Sequence, residues 1–197
     1  MLQSVSQDVI QSPAIQKLRV NTTVVVVCVN WLLAGVVLGS ALMVAPSTVP
    51  FVALLSASLA ALPTLSFKVD KLSHSTAISS AVSMAGLIAI LVYNFRWSGD
   101  GVAYQIDMHM IFFAGVSLLT GLLNWRALVA FTGVVAFHHL GAALFMPSLA
   151  FPDGASITRV LLHGGILAVE TGVLIWLSNQ ILAAAGTTIA LAEQERK

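Results

Sequence analysis

Long apolar stretches separated by short polar ones run along most of the chain and predict membrane-spanning helices. A helix needs about 20 apolar residues to cross the hydrocarbon core of a bilayer. Six stretches approach or exceed that length, at about 20–43, 49–67, 73–95, 106–124, 127–146 and from Ser156 onward. The second contains Pro63, which a membrane helix tolerates when neighbouring groups satisfy the freed carbonyl. The pattern predicts an all-α protein, a bundle of six transmembrane helices.

The sixth stretch is longer than a bilayer requires. No proline interrupts residues 156–197, and a helix over this range would be ~63 Å long, about twice the hydrocarbon thickness. We expect this helix to leave the membrane on the cytoplasmic side. Either the chain is a fragment from which an output domain was removed, or the helix ends naturally as a short tail. The expected organisation is a cytoplasmic amphipathic segment, a transmembrane domain and the start of a signalling helix, at residues 1–19, 20–180 and 181–197.

The N-terminal segment has its own apolar stripe, which Pro13 interrupts. This stripe predicts an amphipathic helix on the inner leaflet, or else a frayed terminus. The positions that form it are Leu2, Val5, Val9, Ile15 and Leu18.

Composition supports a membrane protein. Hydrophobic residues make up 58% of the chain and charged residues only 9%, with a mean hydropathy of +0.94, whereas soluble domains carry about 25% charged residues. A net charge of +1 without a basic cluster gives no support for nucleic-acid binding. Cys28 is the single cysteine, so the chain cannot form an internal disulfide.

Basic residues predict the orientation, because cytoplasmic loops carry an excess of Lys and Arg. With the N-terminus inside, seven of the nine basic residues are cytoplasmic, namely Lys17, Arg19, Lys68, Lys71, Arg126, Arg196 and Lys197. The outer side keeps Arg96 and Arg159, beside Asp100, Asp107 and Asp153. Both termini are therefore expected in the cytoplasm.

Four of the five histidines fall at a similar depth of the expected bundle. His109, the His138–His139 pair and His163 lie in the outer half of the last three spans. Glu170 lies two turns deeper than His163, and Asp107 lies at the interface. Ionisable groups inside a membrane cost several kcal/mol unless they face a partner or a cavity, so they are candidates for function.

These residue types favour metal chemistry. Neutral imidazoles are common ligands of copper, iron and zinc, and Met108 and Met110 would add soft donors that favour Cu(I). Asp107 and Glu170 could ligate a metal or orient an imidazole. Copper or iron is expected ahead of zinc. Haem b is the alternative, held by two axial histidines on facing helices, and plain hydrogen bonding between helices is another.

Neighbouring positions add detail to this set. On the last span, Arg159, His163 and Glu170 share one stripe. His138 and His139 point about 100° apart, so at most one is expected to face a given centre.

Residues 104–177 resemble a known family. The segments YQIDMHMIFFAGVSLLTGLLNWRALVAFTGVVAFHHL and FPDGASITRVLLHGGILAVETGVLIWL are similar to the multi-span N-terminal sensor region of certain bacterial methyl-accepting chemotaxis proteins. The resemblance implies a sensor in the bacterial inner membrane, surrounded by lipid and assembled as a homodimer or higher oligomer. It also implies an output to cytoplasmic chemotaxis signalling proteins.

The leading hypothesis is thus a non-enzymatic sensor of oxygen, redox state or metal. Its site comprises the four histidines His109, His138, His139 and His163, with the other polar residues in supporting or ligating roles. The alternatives are a proton- or metal-coupled transporter or channel that uses Glu170 and the histidines as a relay, a membrane metalloenzyme, or a structural dimerising anchor.

Overall fold

A computed structural model describes residues 7–96, 99, 101–149, 151 and 156–195, and over these ranges it is helical without a β-strand. Short 3₁₀ turns at Pro46–Thr48, Thr120–Leu122 and Pro147–Leu149 connect longer helices. The α-helices are α1 (Gln7–Gln11), α2 (Pro13–Val44), α3 (Val49–Val69), α4 (His74–Asn94), α5 (Tyr104–Leu119), α6 (Trp125–Phe145) and α7 (Ile157–Gln194).

The predicted all-α fold with six spans is confirmed at this level. Each of α2 to α7, counted with the adjoining 3₁₀ turn for α3 and α5, is long and apolar enough to cross a membrane. Pro63 lies inside α3 as expected. The helix that carries the first span begins at Pro13 rather than near residue 20. Residues 1–6 of the N-terminal segment, and Asp100, Asp153, Arg196 and Lys197, lie outside the described residues.

Helix α4 is the centre of the bundle, and it packs against α2, α3, α5 and α6. Its sequence explains this position, because Ala77, Ala81 and Ala85 are buried on it and their small side chains allow neighbouring helices to approach closely. The helix begins at a good N-cap, where the Ser73 hydroxyl accepts a hydrogen bond from the Thr76 backbone N–H at 3.1 Å.

Buried amides join α2 to α4. Asn30 Nδ2 donates to the carbonyl of Ser80 at 3.3 Å, and Ser83 Oγ donates to Asn30 Oδ1 at 2.9 Å. Asn94 Nδ2 donates to Ser40 Oγ at 2.8 Å. In apolar surroundings such bonds fix how two helices are rotated against each other.

One end of the bundle gathers the turns α3–α4 and α5–α6 around Arg19, and we call it the basic end. The Arg19 guanidinium donates from Nε to the carbonyl of Leu122 at 3.1 Å and from Nη2 to that of Leu72 at 3.0 Å. Asn124 Nδ2 lies 3.0 Å from Nδ1 of His74, an exposed residue. The long helices therefore run alternately towards and away from this end.

Helix α7 lies at the edge of the bundle, mainly against α6. Its buried residues among those described are Leu167, Thr171, Ser178 and Leu182. Near the basic end, Leu182 packs with Val9 and Ile15 of the N-terminal segment. Helix α7 is therefore the least buried of the six long helices.

Candidate metal centre

Three helices, of which α6 runs antiparallel to α5 and α7, bring the four expected histidines to one level of the bundle. His109 lies in the second turn of α5, His163 in the second turn of α7, and His138 and His139 in the last two turns of α6. Because α5 and α7 start at the end where α6 finishes, these positions coincide in depth. This is the end opposite the basic end, and we call it the histidine end.

The imidazole rings form a connected cluster. The ring centroids of His109 and His139 are 5.4 Å apart, and those of His139 and His163 are 5.7 Å apart. His138 lies 5.3 Å from His139 and 6.4 Å from His109 by the same measure. His139 is thus the central member.

The backbone fixes the tautomer of three rings in the same way. Nδ1 of His109 lies 2.7 Å from the carbonyl oxygen of Gln105, that of His139 lies 2.9 Å from Val135, and that of His163 lies 2.9 Å from Arg159. A carbonyl oxygen only accepts, so each Nδ1 carries the hydrogen. Nε2 is then the nitrogen with the lone pair, which is the state that a metal ligand requires.

These three histidines line one cavity of about 540 Å³ between α5, α6 and α7. Its walls are otherwise apolar, with Phe113, Leu140 and Leu161 among them. His109 Nε2 is buried without a hydrogen-bond partner among the described residues. An unpartnered basic nitrogen beside an apolar cavity is costly, so a ligand that uses it would be stabilised.

His138 takes a different direction from its neighbour, as expected for consecutive residues of a helix. The rings of His138 and His139 are nearly perpendicular, at 89°. His138 lines a separate cavity between α3, α4 and α6, whereas His139 faces the cavity shared with His109 and His163.

Two phenylalanines that sequence reasoning did not single out support the rings. The Phe112 ring centroid lies 6.1 Å from both His109 and His139. Phe151 is buried and lies 6.0 Å from both His139 and His163. The signals that mark them are the pair of phenylalanines after DMHM and the first residue of FPDG.

The other predicted site residues lie away from this cavity. Asp107 and Met110 are exposed on α5, and Met108 is half-buried and packs against the central core. Arg159 contributes its backbone carbonyl to His163. Glu170 Oε1 accepts a 3.4 Å hydrogen bond from Ser117 Oγ, and its Oε2 is buried without a partner in the described part of the chain.

The fit to a metal ion is partial. An ion bound tetrahedrally by Nε2 atoms at about 2.0–2.1 Å would place neighbouring ring centroids about 5 Å apart, close to the two distances around His139. Among the described residues, however, no three His, Cys, Asp or Glu side chains form a group that could hold a metal as they stand. The rings must therefore reorient for their Nε2 atoms to converge.

A haem group fits this arrangement less directly. Axial ligation needs two nitrogens that face each other across the macrocycle, whereas the His139 and His163 rings are stacked, with 30° between their planes.

Comparison of the chain with protein-family models, with curated proteins and with solved structures finds no match in any of the three.

Proposed function

We propose that this chain is a transmembrane sensor that binds a transition metal ion through His109, His139 and His163. The observation that carries the proposal is that a backbone carbonyl fixes the same tautomer in all three rings. Each of three helices therefore has an Nε2 lone pair beside one cavity. Imidazole nitrogens suit copper, iron and zinc. Copper or iron is favoured for a sensor of oxygen or redox state, because zinc does not change oxidation state.

The open geometry suggests how binding would be reported. His109 and His139 stand on helices that pack against the central α4, whereas His163 stands on the loosely held α7. We infer that convergence of the three Nε2 atoms, for which the rings must turn, also draws α7 towards α5 and α6. Binding would therefore favour one position of α7 over another, which is what a ligand-driven switch needs.

The length of α7 supports an output along the helix axis. Its 38 residues correspond to ~57 Å, so a shift at the histidine end is transmitted well past the hydrocarbon core. The resemblance to chemotaxis receptors supports a cytoplasmic signalling partner, a homodimeric or higher assembly and a place in the bacterial inner membrane.

Elemental analysis and an absorption spectrum of the detergent-purified chain test the proposal. We expect about one equivalent of copper or iron, which His109→Ala and His163→Ala lose while the helical circular dichroism is retained. His74→Ala, at the basic end, is the matched control and should keep the metal. Full metal content in both cavity variants would contradict the proposal. A Soret band would show that the bound group is haem rather than a metal ion alone.

A proton- or metal-coupled transporter is the second candidate, and Glu170 is the residue that favours it. Its Oε2 is buried and has no partner in the part of the chain that the structure describes, and such a carboxylate oxygen inside a membrane bundle is a candidate relay group. Transport predicts an ion flux in proteoliposomes that Glu170→Gln abolishes, whereas a sensor predicts no flux in either protein.

A further inference from the structure

A second cavity lies on the other side of α6 from the three-histidine cavity. It has a volume of about 310 Å³ and is bordered by α3, α4 and His138 of α6. This volume is at the small end of the range for ligand pockets. The residues that line it are Thr48, Phe51, Val52, Leu55, Ala89, Ile90, Tyr93 and His138.

His138 is the feature that distinguishes this cavity from a simple packing gap. Its Nε2 is buried without a hydrogen-bond partner among the described residues. The Thr48 hydroxyl donates to the carbonyl of its own turn, at Ala45, at 2.8 Å. As the ring stands, Nε2 has almost no accessible surface, so the imidazole must turn towards the cavity to meet a ligand there. A buried polar nitrogen left unpaired costs about 1–3 kcal/mol, and a ligand that supplies the missing hydrogen bond would stabilise the turned ring.

The walls limit what that ligand can be. The walls are mostly apolar and include two aromatic side chains, Phe51 and Tyr93. Phe51 is 69% exposed, on a surface that we expect lipid to cover. A ligand that enters from this side must therefore be lipid-soluble and small, and a flat ring with a polar atom at its edge suits two aromatic walls and one imidazole nitrogen.

We propose that this cavity binds the head group of a membrane quinone, with one ring carbonyl hydrogen-bonded to His138 Nε2. A neutral imidazole can carry its hydrogen on Nε2 and donate to the carbonyl, and the other tautomer accepts from the hydroxyl of the reduced quinol. The flat ring packs between apolar and aromatic side chains, and its tail lies in the lipid. This site is separate from the metal centre and does not depend on it.

Photolabelling of the full chain in nanodiscs tests the proposal, with an azido-benzoquinone that carries a decyl tail as the probe. We expect labelled peptides from α3 and α4, around Phe51 and Ala89. The same quinone without the azide should suppress labelling, whereas decylbenzene, which lacks carbonyls, should not. Labels confined to α5 and α7, or equal competition by decylbenzene, would overturn the proposal.

Two variants locate the contact. His138→Phe keeps a ring of similar size but removes the nitrogen, and it should weaken quinone competition on the order of tenfold. Ala89→Phe fills the cavity and should abolish labelling, whereas Ala57→Phe, on the exposed side of α3, should not. If Ala89→Phe does not fold, His138→Phe alone decides the matter, and unchanged competition in that variant would overturn the proposal.

The two proposals can fail independently. His138→Phe should keep its metal, and His163→Ala should keep its quinone labelling. Loss of quinone binding in His163→Ala with the fold retained would place the quinone in the three-histidine cavity and overturn the assignment to His138.

Discussion

At the scale of the residue, the same local contact recurs at His109, His139 and His163. Each ring turns back along its own helix and donates from Nδ1 to a carbonyl four residues earlier. The contact spans a single helical turn, so it needs no partner helix. It selects one tautomer in the absence of a ligand and would thus lower the cost of binding a metal.

The consecutive histidines His138 and His139 should differ in their effect on metal binding. His139→Ala should lose the metal, because His139 is the central ring of the three. His138→Ala should retain it, because its ring lines the other cavity. Metal content after purification from copper- and iron-supplemented medium measures both. Equal loss in the two variants would show that both rings bind the same ion.

The depth of the histidines could be predicted from the sequence, because counting residues from the ends of apolar stretches gives depth. Their direction could not be predicted. Whether His138 or His139 faces α7 depends on the rotation of α6 about its axis, and contacts such as the 2.6 Å hydrogen bond between the hydroxyls of Thr132 and Thr171 contribute to that rotation. A single sequence does not contain such a pairing.

At the scale of the element, close helix contacts hold α5 in place. A Cβ at Gly115 of α5 would lie 3.1 Å from Ile88 Cδ1 of α4 and 3.1 Å from Phe131 Cζ of α6. Both neighbours are fully buried in the central core. Helix α5 therefore carries His109 at a fixed distance from α6.

Gly115→Ala should destabilise the bundle by about 1–3 kcal/mol, because the added methyl group overpacks a closed contact. Gly133→Ala on α6 is the matched control, since a Cβ there meets nothing within 4 Å, and the better helix propensity of alanine should stabilise it by up to about 1 kcal/mol. The free energy of unfolding in mixed micelles measures both. A neutral Gly115→Ala would contradict this packing.

The boundaries of a helix can be predicted from the sequence where the length of the apolar stretch determines them. They cannot be predicted where packing against another helix determines them. The number of apolar residues in each stretch predicts the six spans. The apolar pattern does not predict the start of α2 at Pro13, because the first turns precede the apolar stretch and are stabilised by Ile15 packing against Leu182 of α7. That contact joins residues far apart in sequence.

At the scale of the whole molecule, α4 is the most buried of the six long helices and α7 is the least buried. In the most apolar stretch of α4 about three-fifths of the residues are buried, whereas in that of α7 about a tenth are buried. The metal proposal places two ligands on α5 and α6, which pack against α4, and the third on α7. If the proposed sensor function holds, the central helices would be the fixed reference and α7 the movable output.

Spin labels on the exposed positions Val129 of α6 and Val173 of α7 should report this motion in a Cys28→Ser background. We expect metal to change the distance between the labels by about 1–2 Å, the size of helix shifts in known switches. The His163→Ala protein should show no change. An identical shift in that variant would mean that the metal acts elsewhere.

X-ray absorption at the metal edge of the loaded protein would show whether three imidazole nitrogens from three helices bind one metal ion. We expect a shell of nitrogen scatterers at about 2.0 Å with the outer-shell pattern of imidazole, from about three rings, and a lower ring count in His163→Ala. A shell of sulfur from the methionines, or one without imidazole, would contradict it.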